Sequence, residues 1–127
     1  MILIKAFGEL IYTTEKVEKE IVSKSETHKP RIEAPDVVKE NESFTVKVNV
    51  GPHPNTLEHS IRSIEVYYFE EGRKFNSVNL AKIFLAPIYT EPNIELTLKL
   101  KRSGILYVLN YCNIHGIWEC RKSIKVK

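Results

Sequence analysis

From Phe44 to Val50 every even position is apolar (Phe44, Val46, Val48, Val50) and every odd one is polar (Thr45, Lys47, Asn49). A period of two sends successive side chains to opposite faces, so the segment is a strand with one face buried. The pattern returns in Ile94 to Leu100 and in Ile124-Lys125-Val126. Ile61 to Phe69 and Ile105 to Tyr111 are instead rich in β-branched and aromatic residues, with apolar side chains on both parities, as suits interior strands covered on both sides or packed on a neighbouring subunit. Turn chemistry separates these runs: Lys39-Glu40-Asn41-Glu42, Gly51-Pro52, Glu70-Glu71-Gly72-Arg73, Tyr89 to Asn93 and Arg102-Ser103-Gly104. Short strands about ten residues apart predict an all-β, immunoglobulin-like antiparallel sandwich or barrel of about seven strands. Helix signal is weak: the charged stretch Thr14 to Lys24 reads as a turn or two of helix or as extended chain.

The 127 residues form one domain by size, large enough to bury a core without disulfides. Nineteen basic and sixteen acidic side chains leave a formal charge of +3, with no basic block to track a phosphate backbone. Nucleic acid is not an expected partner. No apolar run approaches the roughly 20 residues of a membrane span, and Met1 to Phe7, interrupted by Lys5 and lacking a small-residue cleavage site, does not read as a signal peptide. The expectation is a soluble cytoplasmic protein without a membrane partner. Two cysteines eight positions apart, Cys112 and Cys120, are then poor evidence for a disulfide.

The four histidines fall in segments unlike strands or just after one. His53 and His59 bracket His53-Pro54-Asn55-Thr56-Leu57-Glu58-His59, His28 stands just before Pro30, and His115 closes Cys112-Asn113-Ile114-His115 ahead of Gly116. Prolines stiffen the backbone beside the imidazoles, and glycine permits a tight turn after the last one. A Cys-x-x-His turn brings a thiolate and an imidazole to one ion, and the His-x5-His loop adds two more ligands, with His28 as a fifth. Structural zinc favours a closed tetrahedron rich in cysteine, so this set does not suit it. Blue copper on a similar sandwich also draws Cys and His from one loop, but it generally adds a nearby axial methionine, and Met1 is the only methionine here. A glutamine or carbonyl can replace that methionine, which keeps a copper electron-transfer protein as the alternative. Five nitrogen and sulfur ligands leave one octahedral position open, which suits iron that binds a small oxygen species.

The two motifs, His53 to His59 followed by Ile61-Arg62, and Tyr111-Cys112-Asn113-Ile114-His115-Gly116-Ile117-Trp118-Glu119, closely resemble those of the superoxide reductases, in particular the short one-iron form, neelaredoxin. The resemblance covers about Glu26 to the C-terminus, so residues 1–25 are an N-terminal extension and 26–127 an iron-binding β-sandwich domain. It implies an enzyme that reduces superoxide by one electron to hydrogen peroxide at one iron ion (Fe2+/Fe3+) per chain. His28, His53, His59 and His115 would be equatorial ligands, Cys112 the axial thiolate, and Glu26 the group that closes the sixth position in the resting ferric state. It further implies a homotetramer re-reduced by rubredoxin or a similar carrier. Position 27 departs from the family pattern, in which a lysine usually supplies a cation beside the open site. Here the residue is Thr27, leaving Lys24 and Lys29 as candidate replacements and the threonine hydroxyl as a group that can hydrogen-bond a bound peroxide or organise water. Glu58 is a candidate to orient an imidazole, and the N–H groups of Ile114 and His115 are candidates to face the Cys112 sulfur. Trp118 is expected to pack over the site or core, Tyr67, Tyr68 and Phe69 to serve as core or subunit contacts, and Cys120 to be structural.

Overall fold

The alternating segments fold as strands of two sheets. The computed structural model describes residues 2–13 and 19–127. In chain order these contain a 3-10 turn (Phe7–Leu10), a helix α1 (Lys19–His28) and strands β1 (Arg31–Glu33), β2 (Val37–Val38), β3 (Phe44–Asn49), β4 (Ile61–Glu70), β5 (Val78–Phe84), β6 (Asn93–Leu98), β7 (Gly104–Cys112) and β8 (Gly116–Val126). One sheet has the order β1-β3-β6 and the other β2-β8-β7-β4-β5. All neighbours are antiparallel except β2, which runs parallel to the end of β8.

The inward parity of each strand builds the core. Val46 and Val48 of β3 face Ile64, Val66 and Tyr68 of β4, Leu106 and Val108 of β7 and Ile124 of β8, all essentially removed from water. That burial is the main force holding the sandwich together. Tyr68, a core residue as expected, donates its hydroxyl to the Arg102 carbonyl at 2.6 Å, which satisfies the one polar atom it brings inside. Desolvation pushes its phenol up to about 12. Tyr67 is half-buried and Phe69 exposed on the opposite face.

Three features depart from the sequence reading. Strands β1, β2 and β5 were not anticipated, and β8 begins at Gly116, eight residues before the alternation of Ile124 to Val126 becomes visible. For β5 the cause is a bulge: its pairing with β4 shifts between Val66 and Tyr67, which breaks the alternation a strand is recognised by. The helix begins at Lys19 and continues to His28, beyond the charged stretch, and residues 14–18 of that stretch lie outside the described ones.

Topology brings three chain segments to one end of the sandwich. The register pairs Arg31 with Asn49, so the chain just before β1 lies near the end of β3. It also pairs Ile61 with Cys112 and Cys112 with Gly116, so the start of β4 lies beside the β7–β8 turn. Tyr12 joins the edge of β8 in a parallel bridge to Trp118, through its N–H to the Ile117 carbonyl and the Glu119 N–H to its own carbonyl, both 2.9 Å. No helix among the described residues is long and apolar enough to cross a membrane.

Candidate metal centre

The histidines of the three segments meet at that end. His28 is the last residue of α1, and its Nδ1–H faces the Lys24 carbonyl one turn back at 3.0 Å. A carbonyl only accepts, so the proton is on Nδ1 and the Nε2 lone pair is free. His53 is fixed in the same way, its Nδ1–H donating to the Pro54 carbonyl at 2.7 Å. His59 closes a small knot in which its N–H donates to Thr56 Oγ1 at 3.0 Å and the Thr56 N–H donates to its carbonyl at 3.0 Å. Asn113 ties that loop to the Cys-x-x-His turn: its Oδ1 accepts the Ser60 N–H at 3.0 Å and its Nδ2 donates to the Glu58 carbonyl at 2.8 Å.

Cys112 ends the inward row of β7 and is fully buried. The turn after it is closed by Gly116, whose φ of +86° favours glycine and whose missing Cβ leaves room for the Tyr12 ring. The His115 N–H donates to Cys112 Sγ at 3.4 Å, as expected, and no such bond from Ile114 is seen among the described residues. Trp118 donates its Nε1–H to the His115 carbonyl at 3.1 Å and lays its ring over His28, centroids 5.2 Å apart, with Tyr12 on it at 5.0 Å.

His28 Nε2 stands 3.1 Å from His53 Nε2 and 3.1 Å from His115 Nδ1. Two nitrogens at right angles, each about 2.1 Å from an ion, would be about 3.0 Å apart. Neighbouring rings meet edge to face, at 89° for His28 and His53, 84° for His28 and His115, 79° for His53 and His59 and 62° for His59 and His115. His28 and His59 are instead near parallel, at 27° with centroids 6.5 Å apart, so they stand across the ring of four from each other. The ligand atoms of His28, His53, His59 and Cys112 all lie within 4.8 Å of one another. Cys112 Sγ is 3.5 Å from His53 Nε2 and 3.8 Å from His115 Nδ1. His59 Nε2 is buried with no hydrogen-bond partner among the described residues.

Electrostatics make the same point. The Nε2 atoms of His28 and His53 both carry lone pairs, since both Nδ1 protons are committed to carbonyls, and these lone pairs face each other at 3.1 Å. Such an arrangement is repulsive without a cation between the donors. Burial, helped by the neighbouring imidazoles, lowers His28 to about 4 and also lowers His53, so both rings are neutral at physiological pH and able to ligate. The donor set therefore fits a metal ion.

The family pattern of desulfoferrodoxin matches residues 20–121. The chain belongs to the desulfoferrodoxin family. A putative superoxide reductase of Thermotoga maritima is 42% identical over 118 residues, covering 82% of this chain and 90% of its own. The superoxide reductase of Pyrococcus furiosus is 45% identical over 112 residues, with 76% and 86% covered. Among solved structures, a superoxide reductase (neelaredoxin) from Ignicoccus hospitalis superposes with a TM-score of 0.91 at 58% identity, over 97% of this chain and 100% of that one.

The remaining candidates are distributed differently in this family member. Glu26 is exposed, and its carboxylate does not belong to the donor cluster; its carbonyl accepts from Arg31 Nη1 at 3.4 Å. Thr27 Oγ1 lies 2.9 Å from His28 Nδ1 and donates to the Lys24 carbonyl at 3.1 Å, which places it on the outer edge of the ring, away from Nε2. Lys24 lines a cavity of about 550 Å³ together with Tyr12, Tyr111, His115 and Trp118, whereas Lys29 does not. Glu58 meets the site through its carbonyl, its carboxylate side being exposed. Sequence reasoning missed Asn113 and Asn110, the latter donating its amide to the His28 carbonyl. Only the position of Asn110 on the apolar parity of β7 marked it as unusual.

Proposed function

We propose that this chain is a superoxide reductase in which His28, His53, His59, His115 and Cys112 hold one iron. The convergence of imidazole lone pairs on a point beside a buried thiol carries the reading. The reaction adds one electron and two protons to superoxide to give hydrogen peroxide, with no oxygen released. When bound, the iron supplies that electron and, at the position five ligands leave free, a place for the small anion. Cys112 contributes a thiolate shielded from water and held by the His115 N–H, a donor able to tune the potential of the centre. Thr27 and the Lys24 carbonyl fix the tautomer of His28. Glu26, two residues before His28 on an exposed face of α1, is the carboxylate proposed to close the sixth position in the resting state, and water supplies the protons.

Lys24 is proposed to replace the cation missing at position 27, since it faces the cavity that His115 and Trp118 line. Its carbonyl, which serves His28, is unaffected by a side-chain change. Lys24→Ala is therefore expected to slow association with superoxide about two- to fivefold at low ionic strength, the difference vanishing in high salt. A rate unchanged at every ionic strength removes Lys24 from this role.

A rubredoxin-like carrier is the proposed electron donor and a cytoplasmic homotetramer the proposed state. Exposed Phe69, Phe84 and Tyr111, with Ile2, Leu3, Ile4 and Phe7 near the N-terminus, support self-association. Residues 1–25 are read as an extension to a 26–127 iron-binding domain, joined to it by α1. Metal analysis with visible spectroscopy and a superoxide assay tests the whole reading. One iron per chain, a thiolate-to-iron band in the red when oxidised, and peroxide without oxygen are expected; copper, or no metal, would overturn it.

A further inference from the structure

His53 and His59 ride on a loop between two strands of the sandwich, and Cys112 and His115 on a hairpin turn. His28 alone ends a helix outside the sheets, so something must hold that helix end against them. We propose that Asn110 is a positioning residue for the centre: its buried carboxamide grips the His28 carbonyl and thereby sets where the His28 ring stands.

Asn110 lies on the inward row of β7, which reads Leu106, Val108, Asn110, Cys112, and it is 1% exposed. An amide in such a row is costly unless it is bonded, and leucine would fill the space at no such cost. The described bond it makes runs from Nδ2 to the carbonyl of His28, 82 residues away in sequence. That carbonyl belongs to the last turn of α1, whose carbonyls have no partner within the helix. Asn110 Oδ1 has no hydrogen-bond partner among the described residues. Directly across the ladder from Asn110 stands Trp118, whose ring covers His28. One residue pair of β7 and β8 thus holds His28 by its carbonyl and by its ring face, in the same frame as Cys112.

The inference rests on His28 being a metal ligand, and the test separates the two. Asn110→Leu and Asn110→Ala are compared with Val108→Ala, a core change on the same row two residues away. Both Asn110 variants are expected to lose about 10- to 100-fold in affinity for ferrous iron, the usual cost of removing a group that orients a ligand, and to keep the thiolate band. In the metal-free protein, hydrogen exchange at the Lys29 amide, which bonds the Ser25 carbonyl at 2.9 Å, is expected to rise about tenfold in the same two variants. Val108→Ala should alter neither. Unchanged affinity and exchange in the Asn110 variants, or the same changes in Val108→Ala, overturn the inference while the metal site stands. If Asn110→Leu fails to fold, Asn110→Ala decides. A wild-type chain that takes up no ferrous iron sinks the reading of the centre, and this inference with it.

Discussion

Cys112→Ser is expected to lower the rate of superoxide reduction on the order of a thousandfold and to abolish the thiolate-to-iron band, with the fold retained. The sulfur is the one soft donor in the cluster, it is fully buried, and its only described hydrogen bonds are to groups of the centre. A serine hydroxyl does not ionise at neutral pH and gives far less charge to a metal, and a loss of several kcal/mol in transition-state stabilisation corresponds to a factor of that size. The volume change is small, so unfolding free energy should fall by no more than about 2 kcal/mol. Stopped-flow decay of superoxide and denaturant titration measure the two effects. Activity within tenfold of the wild type would contradict the role assigned to the thiolate.

Gly104→Ala should have the largest effect on stability, at the far end of the sandwich from the metal site. A Cβ there would lie 1.9 Å from the Phe69 carbonyl oxygen, 2.8 Å from Tyr68 Cζ and 2.9 Å from Tyr68 Oη. The first is backbone within a paired ladder, Gly104 standing opposite Glu70, and it has no room to withdraw. Overpacking of this kind costs about 3 kcal/mol. In a domain of this size that lowers the melting temperature by about 10 °C. The iron spectrum recorded well below the transition should be unchanged, because Cys112 lies eight residues along the same strand. Wild-type melting would mean that the strands separate more easily here than their packing indicates.

Much of this architecture was legible in the residues themselves. The alternation of Phe44 to Val50 became β3, and the apolar runs from Ile61 and Ile105 became β4 and β7, because a half-buried strand imposes its period on the side chains it can tolerate. Strand β5 escaped because a bulge interrupts that period, and the first half of β8 because apolar Ile117 stands on its outer parity and charged Lys122 on its inner one, so the alternation does not run through. The helix was underestimated because its charged residues carry little apolar pattern, yet it extends to His28, just before the stop imposed by Pro30.

The sequence by itself determined the kinds of donor and their local pairing: one thiol and one imidazole on a turn closed by Gly116, and two imidazoles on a proline-stiffened loop. Those are short-range properties, set by residue type and by a few backbone angles. Only the tertiary structure decided that Nε2 of His28 and of His53 faces the centre and that Thr27 serves the outer edge of His28. The tautomers depend on backbone carbonyls, which every residue carries and which no residue type advertises. The meeting of His28 with His115 depends on strand registers and on Asn110, contacts more than eighty residues apart that arise only when the two sheets close over one core.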